Sequence, residues 1–142
     1  MTRQTTAVET RVSVRQVDAT VTVATARQHE VVIDRPVDAG GTDEGAKARE
    51  LFLMALGGCF INNLKAAINA RDADIQDVHV DVIGTADGPP RRYVAIEMVV
   101  HARYTDDALM QKIVTIAERG CLLSNTLKGS VDMSVTIAPS GD

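Results

Sequence analysis

The sequence predicts an α+β chain in which two long helices pack with antiparallel sheets, and three observations carry the prediction. Short valine-rich segments with an apolar residue at every second position occur near the start, in the middle and at the end of the chain. Two longer segments with helical spacing separate them, and no repeat, low-complexity stretch or linker divides the whole. At 142 residues this amounts to one domain over residues 1–142. With 45% hydrophobic and 24% charged residues the chain lies well above the hydrophobicity at which polypeptides stay disordered. A domain of this size buries roughly 70% of its unfolded surface and needs no disulfide staple.

Each element has a local reason. Between residues 10 and 33, Val12 and Val14, then Val21 and Val23, then Val31, Val32 and Ile33 alternate with polar neighbours, and the break at Gln16-Val17-Asp18 marks a hairpin followed by a third strand. Asp34-Arg35-Pro36 closes that strand, and residues 38–45 are rich in turn formers. Residues 46–72 contain no proline and read as one long helix, apolar all round in its first half. In its second half Ile61, Leu64 and Ile68 share a face opposite Asn62, Lys65 and Asn69. A helix apolar on every side calls for cover on every side, and a second subunit is a source of it. Val78, Val80 and Val82 alternate as a strand, Asp87-Gly88-Pro89-Pro90 turns the chain, and residues 93–100 return as its partner. Thr105 is read as the N-cap of a second helix whose apolar positions are Leu109, Ile113, Ile116 and Ala117, with Gly120 as its stop. Val131, Met133, Val135 and Ile137 make a last strand.

Composition removes several function classes. Two Tyr, two Phe and no Trp leave nothing from which to build a stacking platform for bases. A net charge of −4 and a pI near 5.3 argue against a footprint for DNA or for an anionic membrane. The longest apolar run, residues 51–61, is shorter than the ~20 residues a membrane span needs and reads as a core helix. No apolar region follows the N-terminus as in a secretory signal, so a reducing cytoplasm is the expected compartment and free thiols the expected state of both cysteines. No zinc-protease, hydrolase, phosphate-loop or dinucleotide-binding motif is present, and Gly40-Gly41 reads as a plain loop. His29, His79 and His101 have no ligand-spaced partner in sequence and read as surface or edge residues, so no metal and no cofactor is expected.

The cysteines are the sharper case. Cys59 follows Gly57-Gly58 inside the apolar helix, and Cys121 follows Gly120 at the end of the second. Free cysteine is among the most buried residue types, so a packing role is one reading. The other is that each thiol adjoins a glycine where the backbone can open and a substrate approach, which for reaction requires a depressed pKa.

The segments around both cysteines resemble one family. Arg49-Glu50-Leu51-Phe52-Leu53-Met54-Ala55-Leu56-Gly57-Gly58-Cys59 resembles the helix signature of the OsmC/Ohr family, the osmotically inducible and organic hydroperoxide resistance proteins. Ala117-Glu118-Arg119-Gly120-Cys121-Leu122-Leu123-Ser124-Asn125-Thr126-Leu127 is similar to that family's second cysteine motif. Asp34-Arg35-Pro36, Gly40-Gly41-Thr42-Asp43 and Pro89-Pro90-Arg91-Arg92 also fall where the family has them. The resemblance implies an intertwined homodimer, its sheets built from strands of both subunits. It also implies reduction of organic hydroperoxides by a two-cysteine cycle, without metal, haem or flavin, and an external dithiol as reductant. It gives Cys59 the peroxide-attacking role, Cys121 the resolving role, and Glu50 with Arg27 the activation of the thiolate; Arg15 is a second candidate for the arginine.

Two positions depart from the family pattern. Glu50 lies nine residues before Cys59 rather than ten, which in one unbroken helix puts it about 180° round and roughly 13 Å along. Leu122 replaces the proline that usually follows the second cysteine. These departures motivate an alternative, a binding protein for a small hydrophobic ligand whose thiols are incidental.

Overall fold

The computed structural model describes residues 6–141, which divide into two compact units on either side of the Leu51–Phe52 junction. In the first unit β1 (Ser13–Gln16), β2 (Thr22–Ala26) and β3 (His29–Ile33) form an antiparallel meander in chain order. Asp18 builds the first turn: its Oδ1 accepts from the N–H groups of Thr20 (2.9 Å) and Val21 (2.8 Å). Those bonds, that of Val21 foremost, hold its carboxyl below the usual carboxylate range. Ala26 pairs with His29 across a two-residue turn in which Arg27 takes a left-handed conformation, φ 56°. After β3 the chain folds tightly around the buried Asp34, and Ile33 bridges Ala46. Gly41 is required there, because a Cβ at that position would lie 2.0 Å from the Arg35 carbonyl oxygen.

Helix α1 (Ala48–Ala70) begins in the first unit and continues through residues 52–70 of the second without a break at Gly57-Gly58. By length and composition it could cross a membrane, with 23 residues and a mean hydropathy of 1.5 over its most apolar stretch. Its pattern is that of a core helix, because Leu56, Phe60, Leu64 and Ala67 form one buried stripe at helical spacing while Asn62, Lys65 and Asn69 stay out of it. Each of the large stripe residues contributes roughly 1.5–3 kcal/mol by burial. The cover is one-sided in the single chain, and Phe52 and Met54 remain exposed.

The second unit's sheet contains β4 (Gln76–Asp87), β5 (Arg92–Arg103) and β6 (Asp132–Ile137) in that order. β4 and β5 are an antiparallel hairpin, as their alternation predicts, but β6 runs parallel to β5, so this sheet is mixed rather than antiparallel throughout. The reason is the connection. Between β5 and β6 the chain crosses over through α2 (Asp107–Gly120) and α3 (Leu122–Leu127), as a parallel pairing requires. Asp106, not Thr105, caps α2, its carboxylate accepting from Leu109 N–H at 3.0 Å. Met110, Ile113, Val114 and Ala117 of α2 share a core with the α1 stripe and with Ile96, Met98 and Val100 of β5.

Candidate functional site

Cys59 and Cys121 are both in the second unit, both free, and adjacent to its core. The helix places Cys59 at the margin of the α1 stripe, one residue before Phe60, so its side chain is only partly buried. Cys121 occupies the single residue between two helices. Its N–H donates to the Glu118 carbonyl as α2 ends, and its own carbonyl accepts from Asn125 N–H as α3 begins. An extended conformation there (φ −77°, ψ 113°) turns its side chain into the core, where it is fully buried.

Gly120 acts differently from the sequence reading. It is the last residue of α2 and not a left-handed stop, and its missing side chain makes room for Asn63: a Cβ would lie 3.2 Å from Asn63 Oδ1. Asn63 in turn donates to the Cys59 carbonyl at 2.9 Å. Gly57 lets β4 approach, since a Cβ would lie 3.0 Å from Val82 Cγ2. Gly57 and Gly120 therefore admit close packing, Gly58 faces open space, and the helix backbone does not open at Gly57-Gly58.

The Cys59 thiol is one of the groups that act on the Cys121 sulfur. Burial pushes the Cys121 thiol up, but donors around the sulfur outweigh it and hold the pKa below its ordinary value: the Ser124 hydroxyl and N–H, the Cys59 thiol, and Leu123 N–H. Cys121 is the N-cap residue of α3, so Leu123 and Ser124 belong to the first turn of the helix that begins beside its sulfur. Ser124 itself is 3% exposed, and among the described residues its hydroxyl has no partner of good hydrogen-bond geometry. It also lines a cavity of about 190 Å³ with apolar walls from Met98, Met133 and Val135 and a charged rim from Glu118 and Lys128.

Of the four residues singled out in sequence, Cys59 and Cys121 belong to the second unit, and Glu50 and Arg27 to the first. Glu50 is in the first turn of α1, exposed, and its Oε1 accepts from Lys47 N–H at 2.8 Å, which is the backward half of a capping box. Arg27 is in the β2–β3 turn. Ser124 and Asn63 are the residues that reading from sequence missed. Ser124 lay inside the quoted second motif, but nothing in the sequence marks a serine whose hydroxyl will be buried unpaired. Its neighbours Asn125 and Thr126 have structural roles, Asn125 donating to the Arg119 carbonyl and Thr126 to the Leu122 carbonyl.

Comparison with known proteins gives a consistent set of likenesses. The family model described as OsmC-like protein matches residues 41–136. An organic hydroperoxide resistance protein of Xanthomonas axonopodis pv. citri is 26% identical over 109 residues, 75% of this chain and 77% of that protein. An OsmC-like protein of Mycoplasma pneumoniae superposes with a TM-score of 0.84 at 15% identity, covering 94% of this chain and 98% of the other. An organic hydroperoxide resistance protein of Bacillus subtilis does so with a TM-score of 0.69 at 21% identity, covering 92% and 98%.

Proposed function

The chain belongs to the OsmC-like protein family, and from that premise we propose that it is a cysteine-based peroxidase that reduces organic hydroperoxides. The observation that carries the proposal is the contact between a partly exposed thiol, Cys59, and a fully buried one, Cys121. A peroxide reaches Cys59 first. The Cys59 thiolate attacks the O–O bond, the alcohol leaves with a proton, and Cys59 becomes a sulfenic acid. The Cys121 sulfur, held toward its thiolate by the groups around it, then attacks the sulfenic sulfur and expels water to give a disulfide. The Cys59 thiol is among the groups acting on the Cys121 sulfur, so the step closes the pair to the ~2 Å of an S–S bond. An external dithiol returns the disulfide to two thiols by exchange and leaves as its own disulfide, so two electrons pass from dithiol to peroxide. A reducing cytoplasm would keep the resting thiols free.

Glu50 and Arg27 are proposed as the carboxylate and guanidinium that activate Cys59. A homodimer is proposed as the working form, supported by apolar side chains of α1 and α3 that the single chain leaves open: Phe52 is 43%, Met54 58% and Leu122 68% exposed. The cavity at Ser124, at about 190 Å³, is itself smaller than the ~300–1,000 Å³ of ordinary small-molecule sites.

Two substitutions test the cycle. Cys59→Ser is expected to lower turnover of an organic hydroperoxide by at least about 10³-fold. Cys121→Ser is expected to complete one stoichiometric reduction, stop, and accumulate sulfenic acid detectable with a trapping reagent. If Cys121→Ser instead loses the first turnover while Cys59→Ser keeps it, the roles are reversed; if both retain full turnover, the thiols are incidental.

A further inference from the structure

We propose that His79, Asp81 and His101 form a site for a divalent transition-metal ion of the zinc class, independent of the thiols. In sequence these residues show no ligand spacing; the sheet supplies it. His79 and Asp81 are two apart on β4 and project from one face, and the register sets His101 of β5 directly opposite His79. The imidazole rings lie face to face with centroids 4.3 Å apart and planes within 4°. His101 Nε2 is 3.1 Å from Asp81 Oδ2, and one donor atom from each of the three residues falls within 4.8 Å of the others.

These distances suit a metal. With bonds of about 2.0–2.1 Å to nitrogen or oxygen, the ligand–ligand edge of a tetrahedral zinc site is roughly 3.3 Å. The His101–Asp81 separation of 3.1 Å is close to that value, and the His79 donor, within 4.8 Å of both, has to move closer for an ion to bind. Two neutral imidazoles and one carboxylate are a donor set for zinc, copper or nickel rather than for calcium or magnesium, and three protein ligands leave a position for water.

The scaffold is firm on the opposite face. Val80 and Val100, the intervening pair, belong to or pack against the core, with Val100 fully buried. A bulge immediately before the site inserts one extra residue in β4 between Gln76 and His79, with Asp77 left-handed at φ 54° and its carboxylate 2.7 Å from Arg103 Nε. That bulge, pinned by an ion pair, sets which residue of β4 faces His101. His101 is about one-third and Asp81 nearly two-thirds exposed at the side chain, so an ion has access from solvent.

The test must exclude the thiols, which also bind zinc. Full-length protein with Cys59→Ser and Cys121→Ser, and in parallel the wild type oxidised to its disulfide, are titrated with Zn²⁺ by calorimetry and with Co²⁺ by absorption. One equivalent per chain is expected in both samples, with a cobalt spectrum free of thiolate charge transfer. His79→Ala and His101→Ala should each weaken binding by at least the roughly 10–100-fold that loss of an outer-shell partner costs a metal site, with circular dichroism unchanged. Absence of saturable binding in both samples, or binding that the two histidine variants retain at wild-type strength, would overturn the proposal.

Discussion

Asp34 in the first unit and the Cys121–Ser124 pair in the second are both polar, both buried, and both surrounded by donors, yet they are built on opposite terms. Asp34 is 2% exposed and wholly satisfied: Oδ1 accepts from Arg35 N–H at 2.7 Å, and Oδ2 accepts from the Thr42 hydroxyl at 2.7 Å and from the N–H groups of Thr42 and Glu44 at 3.2 and 3.1 Å. Burial pushes this carboxyl up, but the bonds from Arg35, Thr42 and Glu44 outweigh it and hold it well below the usual carboxylate range. At Cys121 the donors also favour the charged form, but the Ser124 hydroxyl is left without a good partner. A carboxylate that is always ionised allows every donor to be committed. In the proposed cycle the Cys121 thiol gains and loses charge, which would leave a donor waiting for the charged state, and an unpaired buried group is tolerated where chemistry uses it.

The largest effect expected from breaking this contrast is at Asp34. Asp34→Ala leaves three loop N–H groups without their acceptor, and the melting temperature should fall by on the order of 10 °C. The pH dependence has a definite sign. Because the folded carboxyl titrates below its unfolded value near 3.9, its stabilising contribution is complete above that value and is lost as pH falls through the folded one. Asp34→Asn removes the charge, so the gap in melting temperature between wild type and this variant should hold steady from pH 6 down to the unfolded value near 3.9 and narrow below it toward pH 2. A gap that stays constant throughout would mean the carboxylate's charge is not what the loop depends on. Thr42→Val removes one of the four donors and keeps the shape, so thermal melts should show a smaller drop, of a few degrees.

Much of this architecture was legible in the sequence because it rests on local periodicity. The valine alternation at residues 10–33 located the β1–β3 meander, and residues 46–72 located α1 to within two residues at each end. The parallel entry of β6 was not legible, since alternation gives a strand's faces and not its direction. The sequence reads Thr105 as the cap, and the helix begins one residue later with Asp106 in that place, because only the backbone decides which carbonyl begins the helix. In the site, the flanking motifs marked Cys59 and Cys121, but their contact, the close approach of Asn63 at Gly120, and the unpaired Ser124 hydroxyl arise from packing between elements distant in sequence. The histidines show the same limit, because His79 and His101 become neighbours only through the register of β4 on β5.

Ser124→Ala gives the smallest effect on stability and the sharpest test of the comparison. A hydroxyl that makes no good bond in the folded protein has little to lose, so its removal should change unfolding free energy by less than about 1 kcal/mol, in contrast to Thr42→Val. The chemistry should move all the same. With one of the donors that favour the Cys121 thiolate gone, burial weighs more heavily and the Cys121 pKa rises toward its ordinary value. Thiolate absorbance in a Cys59→Ser background follows that titration directly, and in the two-cysteine protein the same substitution should slow disulfide closure at neutral pH while leaving the first attack on peroxide unchanged. If Ser124→Ala destabilises the protein as Thr42→Val does and leaves the titration where it was, Ser124 is a structural group like Thr42, and the distinction between committed and waiting donors fails.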